Sequence, residues 1–185
     1  FPPVTKKALD YDLEVYQPKD IKEKESIKYL ESLNLDLIVV VAYGQILSKE
    51  ILDIPKYGCV NVHASLLPKL RGAAPIHWSI VRGYKKTGVT TMQMDEGLDT
   101  GNILLKEEIK IDQNMTVGKL HDSLKNIGKR VLFKTLNDIK EDKLKPTKQD
   151  DEKSTYAPML DKKMGEIDFN KSSQEIHDLV RGFNP

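Results

Sequence analysis

The spacing of apolar residues along the chain switches repeatedly between patterns typical of strands and of helices. Short apolar or alternating runs predict strands, and apolar positions every three or four residues predict helices. The predicted strands cover 15–16 (ended by Pro18), 36–44, 59–63, 87–94 and 103–111. The predicted helices cover 21–33, 48–53, 73–82, 116–139 and 172–181. This alternation predicts an α/β fold, with a Rossmann-like, mostly parallel sheet and flanking helices.

Three segments carry more specific expectations. The β-branched run 36–44 ends in glycine and predicts a parallel strand that is covered on both faces. The helix over 116–139 carries an apolar stripe that favours core packing over a coiled coil, because no polar registry residue interrupts it. The stretch 141–153 is rich in Lys, Asp, Glu and Gln, so we expect a surface loop or linker there.

Composition narrows the class of protein without identifying a function. The 185 residues fit one domain, or one domain and a fragment of a second. A net charge of +1 gives no support for a protein that coats nucleic acid. The single cysteine, Cys59, cannot form an internal disulfide and fits a reducing compartment. No segment resembles a membrane span or a signal peptide, so we expect a cytoplasmic protein.

Candidate chemistry concentrates at the end of the strand over 59–63. Asn61 and His63 are two residues apart, so their side chains project on the same side of the sheet. Open α/β sheets bind their ligands at such strand ends. An amide donor beside an imidazole suits a carbonyl whose oxygen becomes negative during reaction. The pair therefore predicts acyl or formyl transfer.

Structural explanations for the same residues remain open at this stage. A lone histidine is more often structural than catalytic, and Asn61 could close a turn. Asp95 and Asp99 lie in a glycine-containing turn, where either could orient His63 or simply form the turn. Ser65 lacks the flanking glycines of a nucleophile elbow.

Other ligand classes have no motif. The remaining histidines, at 77, 121 and 177, share no ligand spacing, so we expect no metal site. Neither a Gly-x-Gly-x-x-Gly nor a Walker sequence is present. Lys69 and Arg71 add positive charge beside the candidate site, either as a solvated surface or as anion contacts.

Several motifs in combination resemble the methionyl-tRNA formyltransferase family, within the wider group of formyltetrahydrofolate-dependent enzymes. The matching stretches are 39–44, 61–63, 65–68, 71–76, 92–101, 155–157 and 181–185. Asn61, His63 and an aspartate alone would indicate only the wider group. The Arg-Gly-Ala-Ala-Pro-Ile stretch at 71–76 and the downstream tail narrow the resemblance to the tRNA enzymes.

The resemblance implies a function and a catalytic trio. It implies transfer of the formyl group of 10-formyltetrahydrofolate to the amino group of methionyl initiator tRNA. By motif, Asn61, His63 and Asp99 would be catalytic, and it is the resemblance that selects Asp99 over Asp95. Asn61 and His63 would stabilise the formyl oxygen, while Asp99 would help move a proton from the amine to the leaving nitrogen.

The resemblance also implies a folate site, with no metal. The residues expected to bind the folate are Ser65, Leu66, Leu67 and Pro68, Tyr43, Gly44, Gln45, Ile46 and Leu47, and Met94, Asp95, Glu96, Gly97 and Leu98. The expected partner is initiator methionyl-tRNA, and we expect a monomer.

Relative to the family, the chain is expected to be truncated at both ends. We expect residues 1–140 to be a catalytic domain lacking its first strands, and residues 141–185 to be a linker and last helix leading to an absent C-terminal domain. A sheet lacking strands exposes unpaired edges, so we expect the chain alone to be unstable or inactive.

Two alternative hypotheses for the function remain. The first keeps the chemistry and changes the acceptor, as in a glycinamide ribonucleotide or nucleotide-sugar formyltransferase or a formyltetrahydrofolate hydrolase. The second is a non-catalytic folate- or tRNA-binding module.

Overall fold

The computed structural model describes residues 2–184, which form a four-stranded sheet with helices around it. The strands are β1 (Ile38–Val40), β2 (Cys59–His63), β3 (Lys86–Gln93) and β4 (Ile103–Lys110). The α-helices are α1 (Pro3–Asp10), α2 (Lys24–Ser32), α3 (Lys49–Leu52), α4 (Pro75–Val81), α5 (Val117–Lys140) and α6 (Ser173–Gly182). Short 3₁₀ turns cover Asp151–Lys153 and Lys162–Gly165. The α/β class with flanking helices is thereby confirmed.

The strands follow one another across the sheet in chain order, but they are not mostly parallel. β1 pairs with β2 in parallel, whereas β2 with β3 and β3 with β4 are antiparallel. This part of the prediction is wrong for residues 2–184, because a helix between two strands does not by itself fix the direction of the second. The connection from β3 to β4 is a hairpin loop, which only antiparallel neighbours allow.

The strand predicted over 36–44 is shorter and more open than expected. β1 has only three residues, and Ala42, with a φ of +48°, follows it in the left-handed region. Val39 is 40% exposed and Val41 57% exposed. The expectation of cover on both faces is wrong, because the face that carries Val39 is exposed; β1 is also the edge strand of the described sheet and pairs with β2 alone.

The N-terminal elements also differ from expectation. Residues 15–16 are not a strand: the Tyr16 ring packs on Tyr29 of α2, with ring centroids 4.2 Å apart, and its hydroxyl lies 3.1 Å from Ser26 Oγ. α1 was not predicted from the sequence, and its Val4 and Leu9 are exposed.

Two of the three apolar clusters pack helices against the sheet. Helix α5 is capped by Thr116 and packs its predicted stripe against β3 and β4. The other cluster joins α2, α3 and the first two strands. The α5 cluster contains Ile80, Val89, Ile111, Val117, Leu120, Leu124, Ile127 and Val131. The sheet contributes to both clusters, through Val89 of β3 in one and Cys59 of β2 in the other.

Helix α6 closes the described structure. Ser172 forms a capping box with Glu175 at its start. At its other end the buried side chains of Arg181 and Asp178 pair at 2.7 Å, and Arg181 Nη1 donates to the Met115 carbonyl at 3.0 Å. The pair docks α6 against the loop that precedes α5.

Candidate functional site

The end of β2 places the imidazole of His63 in a buried position. His63 is 6% exposed, and its Nε2 lies 2.8 Å from the carbonyl oxygen of Leu70. A carbonyl oxygen only accepts hydrogen bonds, so Nε2 carries a hydrogen and donates it. The other ring nitrogen, Nδ1, therefore faces the rest of the site.

Asp99 completes the constellation from the loop between β3 and β4. Its Oδ2 lies 3.6 Å from His63 Nδ1, and its Oδ1 accepts a 3.4 Å hydrogen bond from Asn61 Nδ2. The backbone amide of Gly72 donates to Oδ2 at 2.7 Å. The side chain of Asp99 is 11% exposed. The structure thus brings Asn61, His63 and Asp99 together from two separate elements.

The geometry also separates the two aspartates that spacing left equivalent. Asp95 Oδ1 accepts hydrogen bonds from the Gly97 amide at 3.0 Å and the Thr100 hydroxyl at 2.6 Å. Asp95 is therefore the turn former of this loop. Asp99 is directed at β2, with its backbone at a φ of +55°.

Asn61, His63 and Asp99 can together stabilise negative charge on an oxygen and transfer protons. Asn61 Nδ2 carries two hydrogens, and one is directed at Asp99, which leaves the second for an acceptor oxygen. With a hydrogen on Nε2, His63 Nδ1 either accepts a proton or holds a second one beside Asp99. An amide donor, an imidazole nitrogen and a carboxylate at one point suit attack on a carbonyl carbon with proton movement.

The segment 65–68 is anchored rather than freely exposed. Ser65 and Leu67 are 0% and 1% exposed, and Ser65 Oγ donates to the Lys69 carbonyl at 2.6 Å. The Thr90 hydroxyl donates to the Ser65 carbonyl at 2.7 Å and accepts from the Leu67 amide at 3.2 Å. Leu66 and Pro68 remain partly exposed.

The other expected folate segments lie at the surface near this loop. Most residues of 43–47 and 94–98 are exposed, while Leu47 is buried and Met94 is partly buried. Met94 packs against the cluster that contains Leu47 and against the cluster that contains Leu67. It therefore connects the three segments on which the folate expectation rests.

Two further residues support the site in ways that the sequence did not predict. Gln149 lies in the stretch expected to be a surface loop, yet it is 5% exposed and bonds the backbone of Asp99 and Gly101. Arg71 is held by Gln149 and Asp151 rather than presented to solvent. Nothing in a polar, charged stretch distinguishes one buried glutamine from its neighbours.

Other titratable groups lie apart from the trio. Burial, and to a smaller extent Asp53, raises the pKa of the Cys59 thiol to about 11, so this cysteine stays protonated and unreactive at neutral pH. Residues 2–184 contain no cluster of three or more His, Cys, Asp or Glu placed to hold a metal ion. Within the same residues, no helix is long and apolar enough to cross a membrane.

Comparison with known proteins assigns the chain to a protein family. Residues 2–136 match the formyl transferase family model, and the chain belongs to that family. The chain is 56% identical over 183 residues to methionyl-tRNA formyltransferase of Clostridioides difficile, a match that covers 99% of this chain and 59% of the relative. It thus spans about three fifths of the length of that curated relative.

Solved structures give the same fold. A sugar 3N-formyl transferase, WlaRD, determined with dTDP and 5-N-formyl-THF, has a TM-score of 0.79 at 27% identity, covering 97% of this chain and 62% of that one. An N-formyltransferase from Helicobacter canadensis, in complex with folinic acid and dTDP-3-aminofucose, has a TM-score of 0.76 at 25% identity. That match covers 95% of this chain and 62% of the other. The family resemblance drawn from the motifs is confirmed.

Proposed function

We propose that the protein containing this chain transfers the formyl group of 10-formyltetrahydrofolate to the α-amino group of methionyl initiator tRNA. The observation that carries the proposal is the convergence of Asn61, His63 and Asp99 at the end of β2. The 56% identity to a methionyl-tRNA formyltransferase supports the choice of acceptor. On this proposal the protein acts in translation initiation, as a cytoplasmic monomer.

The chemistry follows from the positions of these groups. The amine attacks the formyl carbon, and the new carbon–nitrogen bond places negative charge on the formyl oxygen. The second Nδ2 hydrogen of Asn61 and a proton on His63 Nδ1 would stabilise that oxygen. The bond from carbon to folate N10 then breaks, and the proton lost by the amine passes to N10. Asp99, through His63 or a water molecule, would carry that proton.

We propose that the folate lies against the 65–68 loop and the two surface segments beside it. Leu66 and Pro68 would supply apolar wall, since Ser65 and Leu67 are buried and would act only by shaping the backbone. Segments 43–47 and 94–98 would hold the pterin, largely through backbone hydrogen bonds. No residue of this arrangement requires a metal.

We also propose that residues 1–140 carry the catalytic domain and that residues 141–185 are a linker and last helix. The early part of that second region is nevertheless attached to the site. The Arg71 amide donates to the Thr155 carbonyl at 2.9 Å, and the Ala157 amide donates to the Arg71 carbonyl at 2.7 Å. A domain boundary at residue 140 would therefore fall between two segments that hydrogen-bond to each other.

A sugar nucleotide is the second candidate acceptor, because the solved neighbours include sugar formyltransferases. A sugar nucleotide would bring its diphosphate close to the trio, and the basic residues that the sequence places beside the site are Arg71 and the exposed Lys69. Arg71 is engaged by Gln149 and Asp151, and its side chain is 12% exposed, which argues against its contact with the diphosphate. Lys106 is likewise engaged, since its Nζ donates to the Leu67 carbonyl at 3.1 Å.

The test is formyl transfer by the full-length gene product with three acceptors: methionyl initiator tRNA, a dTDP-amino sugar and water. We expect transfer to the tRNA alone, and a loss of about 10²- to 10⁴-fold in Asn61→Ala and His63→Ala. His121→Ala is the control, because that histidine is 62% exposed on α5. Folate turnover with the sugar or water instead would contradict the acceptor, and unchanged activity in both variants would contradict the site.

A further inference from the structure

The buried side chain of Gln149 holds the backbone on both sides of Thr100. Its Nε2 donates to the carbonyl of Asp99 at 2.8 Å and to that of Gly101 at 2.7 Å. Its Oε1 accepts from Arg71 Nε at 3.1 Å and from Nη2 at 2.8 Å. Both hydrogens and both lone pairs of the amide are therefore used, and only glutamine can supply this set of bonds from this position.

The Asp99 backbone that Gln149 holds is in an unfavourable conformation. Asp99 adopts a φ of +55°. This conformation costs a residue other than glycine about 1–3 kcal/mol and persists only where the surroundings hold it. The carbonyl of Asp99 is fixed by Gln149, and its carboxylate by Asn61 and Gly72. Gln149 thus determines the backbone from which the carboxylate reaches His63.

Arg71 couples this backbone to the loop after β2. It immediately precedes Gly72, whose amide donates to Asp99 Oδ2 at 2.7 Å. Arg71 Nη2 also donates to Asp151 at 2.7 Å, two residues beyond Gln149. Gln149 and Arg71 therefore connect the two loops that supply the site.

We propose that Gln149 is a positioning residue for formyl transfer, which sets the place of Asp99 by holding the Asp99–Gly101 backbone against Arg71. The proposal rests on the proposed function for its kinetic consequence alone. Its structural consequence, an ordered Asp99 carboxylate held on the Gly72 amide, is measurable whether or not the acceptor is methionyl-tRNA.

The experiment compares Gln149→Leu and Gln149→Glu in the full-length gene product. The leucine variant loses the hydrogen bonds to Arg71 and those to the carbonyls of Asp99 and Gly101. The glutamate variant keeps an acceptor for Arg71 but has no N–H group to donate to the two carbonyls. Lys148→Leu is the matched control, because its side chain is exposed on the same segment. The first readout is amide hydrogen exchange of Gly72 by NMR, and the second is kcat and KM for formyl transfer.

We expect exchange at Gly72 to accelerate at least about tenfold in both variants and kcat to fall about 10- to 100-fold, because small misplacement of a reacting group has effects of this size. KM for the folate changes by less than about threefold, since Gln149 does not line the expected folate segments. Lys148→Leu matches wild type in both readouts.

Unchanged protection of Gly72 in Gln149→Glu would overturn the proposal. So would a lower melting temperature with wild-type kcat, the result of a purely stabilising role. If the wild-type protein transfers no formyl group to the tRNA, the proposed function fails, while the exchange measurement still decides whether Gln149 orders Asp99.

Discussion

The backbone amide of Gly72 donates a 2.7 Å hydrogen bond to Asp99 Oδ2, and this bond joins the loop after β2 to the β3–β4 hairpin. The two residues are 27 positions apart in the chain. Both have a positive φ, of +110° at Gly72 and +55° at Asp99. The site is thus assembled from two backbone segments in unusual conformations, each of which is needed to direct one carboxylate at His63.

Asp99→Asn tests the charge of this carboxylate separately from its backbone. Asparagine adopts the left-handed region readily and has nearly the same shape, but its NH2 group replaces one of the two oxygens that accept from Gly72 and Asn61, so we expect a loss of about 1 kcal/mol of unfolding free energy. Activity should fall about 10²- to 10⁴-fold, because the proton acceptor is lost. Asp99→Ala should lose the activity and also about 1–2 kcal/mol of unfolding free energy. Turnover and urea denaturation measure the two effects, and an active Asp99→Asn would contradict the role.

Gly72→Ala should be strongly destabilising. An added Cβ would lie 2.6 Å from the Tyr156 ring and 2.7 Å from the Ala157 carbonyl, at a φ of +110°. We expect a loss of at least about 1–3 kcal/mol. Gly44→Ala is the control, since a Cβ there meets no atom within 4 Å. Thermal unfolding of both variants gives the comparison, and equal melting temperatures would show that the loop can adjust at no cost.

The buried pair of Arg181 and Asp178 should be worth more than any exposed pair. Arg181→Met leaves the Asp178 carboxylate buried without its cation, which costs about 3–5 kcal/mol in comparable sites. Lys86→Met removes an exposed pair with Glu108 and should cost at most about 1 kcal/mol. Denaturant unfolding measures both. The double variant Asp178→Leu/Arg181→Met should recover part of the loss, and no recovery would indicate that packing dominates.

His77 should make the protein less stable in acid. Burial, and to a smaller extent the charge of His121, lowers the pKa of His77 below its ordinary value of 6.5. The unfolded chain therefore binds a proton more readily, so the contribution is present above about pH 6.5 and is lost as pH falls through the lower, folded-state pKa. His77→Gln should flatten the melting temperature between about pH 8 and pH 5. An identical slope in wild type and variant would contradict this assignment.

Much of the fold was predictable because the deciding signals are local. The stripe of α5 and the position of β3, predicted over 87–94 and found at Lys86–Gln93, are set within a few residues of chain. The side-by-side placement of Asn61 and His63 follows from the two-residue period of a strand. Strand direction was not predictable in this way, because it depends on how a connection crosses the sheet.

The sequence by itself determined the α/β class, the family and the pair at the end of β2, since period, caps and motifs are properties of short segments. The motif resemblance selected Asp99 over Asp95, but only the tertiary structure showed the contact of Asp99 with His63 and the support of its loop by Gln149 and Arg71. The physical reason is that these choices rest on hydrogen bonds between segments up to 80 residues apart, as for Arg71 and Asp151. These hydrogen-bonding partners are brought together by the packing of the core, so no short sequence pattern predicts them.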